Sequence, residues 1–406
     1  MNSGATRSTL ALEGGPPVRR EPFPVRRLIG PQEKEAVTAV LDRAVDGVVL
    51  GYEGEPERAY CEAFSRFHGG GFADGVNAGT SAVYVALRAL ELPESSDVIV
   101  PPITDPGGVM PVALCGLRPL AADCTPGFYN TDASQIERVL TDRTSAILVA
   151  HIAGLPVDMD PVLALAASRG LKVIEDCAQS HGARYKERLT GTLGDIAAFS
   201  TMGGKLHCTG GQGGVVYSRR EDLILRARRC ADRGKPIGLE GESENVTASL
   251  NLNMDDLHAA IGCAQLRKLP SIIERRRRLA LELARRLESQ CRSVRLVTEP
   301  PGVESVFWFL LFRVDLDRMN ASLDRFVEAL VAEGIGASVG YWFAPVTMKW
   351  MATTPATRDL PPQDLPHARR TDDTHFKIWL FHEDWTQREI GDVVEAVRKV
   401  ESAWAS

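Results

Sequence analysis

The chain has 406 residues, 44% of them hydrophobic and 25% charged, enough apolar material for the core of a two-domain globular protein and too much for a disordered chain. A formal net charge of -6 weighs against a nucleic-acid partner, because phosphate backbones are held by an excess of Lys and Arg. The N-terminal stretch is rich in Ser, Gly and Pro without an apolar segment, so neither a signal peptide nor a membrane partner is expected, and the expected location is cytoplasmic.

In chain order, a first helix is expected to begin within Ala36–Leu41 and a second to cover Glu57–Phe67. Gly79, Thr80 and Ser81 open a helix running to about Leu92, where Pro93 stops it. The free amides at that start, with the Thr80 and Ser81 hydroxyls, suit a phosphate. Strands are expected at Val98–Val100, Pro119–Asp123, Ala146–His151 and Val215–Ser218, with helical stretches such as Ile136–Leu140 and Pro161–Ala167 between them. Leu171–Ile174 is a mostly apolar run that ends in Glu175 and Asp176, and Ile196–Phe199 is another that ends in Ser200. Both read as buried strands of an α/β sheet. Ligands of such sheets lie beyond the carboxyl ends of the strands, so Asp176, Ser200 and Lys205 are expected to meet in one crevice.

A long helix is expected from about Pro270 to Leu287, crossing into a smaller α+β region, with Arg275–Arg278 as its solvated face. That region should hold a strand near Phe307–Val314, a helix over Leu323–Glu333 and a strand near Ala337–Trp342. A last helix follows, capped by Thr386 and Glu389 and striped by Ile390, Val393, Val394 and Val397. The eight cysteines and eight histidines show no metal-ligand spacing, so no metal is expected and the cysteines are read as reduced.

A lysine that is easily deprotonated can form an imine with a carbonyl, and a carboxylate can keep a pyridine nitrogen protonated. Lys205 and Asp176 at neighbouring strand ends therefore suit pyridoxal 5'-phosphate (PLP). Taken singly, a loop lysine and a solvated strand-end acid would mean nothing.

Several segments carry a resemblance: Asn77 to Ala82, Glu175 to Gly182, Gly194 to Ser200, Asn251 to Met254, and Ala259 to Gly262 followed by Gln265 and Leu266. In order and spacing the chain resembles, from Leu10 to about Lys399, the DegT/DnrJ/EryC1/StrS family of fold-type I, aspartate-aminotransferase-like PLP enzymes, which aminate keto-sugars and keto-cyclitols. The resemblance implies an N-terminal arm (1–27), a large PLP-binding domain with a mostly parallel central sheet (28–262), and a small C-terminal α+β domain with the crossing helix (263–406). It implies a Schiff base on Lys205, Asp176 under the ring nitrogen, and a phosphate cup of Gly79, Thr80, Ser81 and Ser200. Gln179 would lie near the ring and its phenolic oxygen. Asn251 would reach the neighbouring subunit's cofactor in a homodimer with shared active sites. The amino donor would be L-glutamate or L-glutamine and the acceptor a keto-sugar or keto-cyclitol.

Lys205 sets the chain apart from members of that family that carry histidine there and act as dehydratases. Residues Leu10 to Arg19 resemble the arm of inosose aminotransferases and aminohydroxybenzoate synthases, which tilts the acceptor toward a cyclitol. Three positions depart from the pattern. Asp105 stands where relatives have a ring-stacking aromatic, Gln212 where an acid is common, and Asn253 where arginine is usual. These departures leave open another PLP reaction, such as elimination, decarboxylation or epimerisation, or a non-catalytic member. Asp105, His151, His181 and His207 are the candidate substrate contacts.

Overall fold

Short apolar runs build the main sheet of the computed structural model, which describes residues 9–52, 54–341 and 344–404. In chain order these are β1 (Phe72–Val76), β2 (Asp97–Val100), β3 (Arg118–Ala121), β4 (Thr144–Ala150) and β5 (Lys172–Asp176). The two-residue β6 (Arg184–Tyr185) and β7 (Arg188–Leu189) come next, then β8 (Ile196–Ser200) and β9 (Gly214–Ser218). Seven of them form a sheet in the order β1-β9-β8-β5-β4-β2-β3, in which only β9 runs against the rest. Every residue of β2 and β9 is buried, as a sheet covered on both faces requires. One core cluster lies around Phe64, Val85, Phe199 and Tyr217, and another around Ile99, Ile147, Val149 and Val162. The register sets Ala150 beside Asp176 and Asp176 beside Ala198, so β4 and β5 end level with one another while β8 runs on to Ser200.

The helix Gly79–Ala89 buries Ala82, Val83, Val85, Ala86 and Leu87 against β8 and β9, which brings its first turn to the end of β8. It stops three residues short of the expected Leu92. The first two helices begin earlier than expected, at Pro31 and Glu55, each behind an extended glycine. The stretch expected over Ile136–Leu140 is the helix Ala133–Val139, started by Asp132, whose side chain accepts from the Ser134 and Gln135 amides.

The crossing helix differs more. It spans Asp256–Gln290, starting fourteen residues before Pro270 and running through it. A helix-interior proline costs about 3 kcal/mol. Here Asp255 caps the start by accepting from the His258 amide, and the face carrying Ala259, Gly262, Leu266 and Leu269 packs on helices Pro31–Val45 and Glu55–Phe67. That packing outweighs the break. The arginine run is likewise not uniformly solvated. Arg276 is 1% exposed and donates to the carbonyls of Phe307, Trp308 and Phe381 while pairing with Glu383 at 3.0 Å.

Beyond this helix lie β10 (Val294–Leu296), β11 (Val303–Glu304), β12 (Leu310–Val314), β13 (Ala337–Val339) and β14 (His375–Ile378). An antiparallel sheet takes the order β10-β12-β14-β13, while β11 joins the hairpin of β6 and β7. Trp342, expected in the strand now ending at Val339, lies outside the described residues, as do the first eight residues of the arm. The helices Leu323–Ala332 and Gln387–Trp404 cover this sheet, the latter with Thr386 bound to Glu389 at 2.6 Å and its apolar stripe buried. The arm packs here too. Leu10 is fully buried in this core, and the Glu333 carboxylate accepts from the Ala11 and Val18 amides at 2.8 and 3.0 Å. No helix among the described residues is long and apolar enough to cross a membrane.

Candidate active site

The carboxyl ends of β5 and β8 meet the start of helix Gly79–Ala89 at a cavity of about 310 Å³. Gly79, Thr80, Asp105, Asp176, Gln179, Ser200 and Lys205 all line it, together with Thr104, Met202 and Gln212. One end of the cavity is a cradle for an anion. The helix has Ala78 before it with no side-chain cap, so the first-turn amides are left for a ligand. A Cβ on Gly79 would stand 2.5 Å from the Ser200 Cβ and 2.9 Å from its Oγ, so only glycine lets the helix start approach that hydroxyl. Ser81 turns away, donating to Asn77 Oδ1 at 2.7 Å.

Asp176 marks the other end. Burial raises its pKa, partly offset by the Ala178 amide, which donates to Oδ1 at 2.9 Å, and by the charge of Lys205. Its other oxygen faces Gly108, where a Cβ would come within 2.7 Å. The neighbouring Glu175 is wholly structural. It is fully buried and accepts from His151 Nε2 and from the amides of Gly191, Leu193 and Gly194, at 2.7 to 3.2 Å. Burial raises its pKa but these donors outweigh it, leaving the pKa lowered.

Lys205 shares the cavity wall with the cradle and the acid. Burial pushes its pKa down to about 8, against the opposing pull of Asp176 and Asp105. Its Nζ sits 3.9 Å from the Trp308 ring centroid, a cation–π contact from a residue that no motif flagged. Trp308 is aimed by its neighbours. Its indole donates to the Gly204 carbonyl at 3.4 Å, its amide donates to the Ala153 carbonyl at 2.8 Å, and Phe307 before it is held in the left-handed region at φ 48°. The lysine loop is also held by Arg26, whose guanidinium donates to the Lys205 carbonyl at 2.8 Å and pairs with Glu383.

Gln179 is pinned from both sides. Its Oε1 accepts from the Ala153 amide at 2.7 Å and its Nε2 donates to the Tyr341 hydroxyl at 2.9 Å. Tyr341 was not foreseen either; burial, with Asp105 and Asp176 nearby, raises its pKa. Asp105 is exposed at the mouth, where Oδ1 accepts from the Gly107 amide at 2.8 Å and so caps the turn Pro106–Gly108.

The three histidines require a correction, because none lines the cavity. His151 has both ring nitrogens engaged, Nε2 by Glu175 and Nδ1 by the Val157 amide. His181 donates to the Ser200 carbonyl at 2.8 Å, and burial lowers its pKa to about 3. His207 is fully buried against Tyr60, with Nε2 and the hydroxyl 2.6 Å apart. Asn251 is also absent from the cavity of its own chain. It is exposed, paired across a bridge to Asp232, and its Oδ1 accepts from the Asn253 side chain. Among the described residues, His151, Glu175 and Cys177 could surround a metal, but the imidazole and the carboxylate are already committed to the bonds above.

This arrangement fits PLP. The cradle that a Cβ would fill suits the phosphate, the buried acid suits the pyridinium nitrogen, and the lysine whose charge burial disfavours suits the aldehyde.

Comparison with known proteins agrees. The DegT/DnrJ/EryC1/StrS aminotransferase family matches residues 29–398. An L-glutamine:2-deoxy-scyllo-inosose aminotransferase of Micromonospora echinospora is 30% identical over 417 residues, covering 98% of each chain. A GDP-perosamine synthase of Caulobacter vibrioides is 33% identical over 277 residues, covering 68% of this chain and 73% of its own. Among solved structures, the aminotransferase from Psychrobacter cryohalolentis superposes with a TM-score of 0.84 at 27% identity, over 95% of this chain and 99% of that one. With the family matched across nearly the whole length and a relative aligned over almost all of both chains, the chain belongs to the DegT/DnrJ/EryC1/StrS aminotransferase family and depends on PLP.

Proposed function

We propose that the protein transfers the amino group of L-glutamine or L-glutamate to a keto-cyclitol or keto-sugar, through Lys205. The observation that carries this reading is the meeting of Lys205, Asp176 and the Gly79 cradle in one cavity. The two relatives whose names give a cyclitol and a nucleotide-sugar product support the acceptor class. Bound PLP supplies an electron sink that makes a substrate C–H proton removable. The rest falls to the chain. The amides of the first helical turn, with Thr80 and Ser200, bind the phosphate; Asp176 holds the proton on the ring nitrogen; and Gln179, fixed by Ala153 and Tyr341, orients the ring edge. Lys205 Nζ takes the proton from the donor carbon and returns one to the acceptor carbon. Burial lowers the Lys205 pKa to about 8 in the cofactor-free protein, so this amine gives up its proton more readily than an exposed lysine, as the exchange requires. Trp308 covers the amine and keeps water from it.

The working form is a homodimer in which Asn251 serves the partner's cofactor. Supporting this, Val45 and Val49 are each 86% exposed in a segment that also bares Leu41, Val48 and Leu50, and Leu250 is exposed beside Asn251. All eight cysteines are free, which suits a reducing, cytoplasmic setting.

The test is spectroscopic. Purified enzyme loaded with PLP should absorb near about 410 to 430 nm, and L-glutamine or L-glutamate should shift the band to about 330 nm with release of a keto acid. A band left unchanged by both donors would overturn transamination and favour the elimination or epimerisation that the Asp105 carboxylate could serve. Mixing Lys205→Ala with Asn251→Ala protein should restore activity that neither has alone; no restoration would remove the shared-site dimer.

A further inference from the structure

The small sheet carries an arginine cluster that the reaction does not use. Its register sets Arg295 of β10 directly opposite Arg313 of β12, both exposed, while Val294, Leu296, Phe312 and Val314 face the core. Like charges directly opposite on neighbouring strands destabilise a sheet. Arg292, before β10, and Arg318, after β12, lie toward the same end of this antiparallel pair, and with Ser293 and Asp315 the four arginines line a cavity of about 300 Å³. A second cavity of about 390 Å³ shares Arg313 and Asp315 and adds Arg370, His367, Thr371, Thr374 and the acidic Asp317. Neither shares a residue with the cavity at Lys205.

Arginines outnumber carboxylates on the walls of the two cavities, where five arginines face Asp315 and Asp317, while Glu401 accepts from the Arg292 and Ser293 amides behind them. Asp315 is taken by Arg318 at 3.0 Å, and Arg295 is fixed by the Cys291 and Val294 carbonyls. Among the described residues no carboxylate forms an ion pair with Arg292, Arg313 or Arg370, in a chain whose net charge is -6. The Arg313 charge reaches its other strand neighbour as well. Burial chiefly lowers the pKa of His375, opposite Arg313 on β14, to about 4, and Arg313 adds to the effect.

We propose that these two adjoining cavities form a binding site for a small anion carrying a diphosphate, with Arg313 shared between its two halves. Guanidinium groups match phosphate oxygens in bidentate pairs, and two linked phosphates would supply the charge that the Arg295–Arg313 pair lacks. A long polyanion such as nucleic acid is not the occupant, because the rest of the chain is acidic.

The probe is inorganic pyrophosphate, titrated calorimetrically into PLP-loaded protein at fixed ionic strength, so that the Gly79 cradle is already filled. One saturable site is expected, weakened at least about tenfold by Arg313→Gln and by Arg295→Gln. Binding that is absent, or unchanged in both variants, overturns the proposal. A second measurement covers a variant that binds nothing because it is damaged. Without pyrophosphate, Arg313→Gln should melt about 1 °C higher than the parent by relief of the like-charge pair, and should lose the pyrophosphate-induced rise. A lower melting temperature for the free variant overturns the argument.

Discussion

Replacing Trp308 with leucine should lower the pKa of the Lys205 amine. The ring lies 3.9 Å from Nζ on a buried lysine, the geometry in which a cation–π contact contributes most, about 0.5 to 2 kcal/mol. One pKa unit corresponds to about 1.4 kcal/mol, so the loss amounts to about 0.4 to 1.5 units. Leucine keeps the apolar cover, so burial continues to depress the amine and the variant should titrate below the parent by that difference. The change removes stabilisation from the ammonium only, hence the downward sign. Lys205 in the PLP-free protein can be followed by trace acetylation against pH, read on its own peptide by mass spectrometry. Trp308→Phe, with a weaker ring quadrupole, should fall between parent and leucine. A Lys205 pKa that is unchanged or higher in Trp308→Leu refutes the contact as the source of stabilisation.

In PLP-free protein, Lys205→Met should raise stability at pH 7 by about 3 kcal/mol, since the folded state disfavours a charge that the unfolded chain holds up to about pH 10.4. The parent's stability should therefore rise between about pH 8 and 10.4 from this group, and the rise should vanish in the variant; denaturant titrations across that range decide it. Glu175→Gln sets an amide nitrogen against buried donors and should cost about 2 to 4 kcal/mol by the same measurement. Because the Glu175 pKa is lowered on folding, its contribution is fully present above the unfolded value near about 4.3 and is lost as pH falls through the lower folded value. Gly79→Ala should leave the fold intact but abolish PLP retention, seen as loss of the visible band after desalting, because its Cβ would meet Ser200 at 2.5 Å.

What the sequence disclosed was local chemistry. The apolar run into Glu175 and Asp176, the run into Ser200, and the Gly-Thr-Ser helix start were legible because each is decided within a few residues. β1 was not, since Phe72-Ala-Asp-Gly-Val76 has little β propensity and is held as a strand by its pairing with β9. The start of the crossing helix was hidden for a similar reason: Pro270 argues for a beginning, and only the two helices packed upstream override it. His151, His181 and His207 show the limit most plainly. Their residue type suggested chemistry, yet tertiary burial turned each into a bonded support behind the strands. Trp308 lies in another sheet's approach, where nothing local marks it, and Arg276 hides in a run whose neighbours Arg275 and Arg278 are exposed.

Arg26 near one end of the chain and Glu383 near the other meet at the carbonyl of Lys205, with Arg276 closing the set. This gives the site an order of assembly. A nascent chain with its large sheet complete still lacks both Glu383 and Trp308, so the lysine loop stays unfastened while synthesis continues. The groups that line the cavity, from Ala78 to Gln212, are thus made before the clasp that steadies the lysine loop, and the last fastening of the site waits for Glu383.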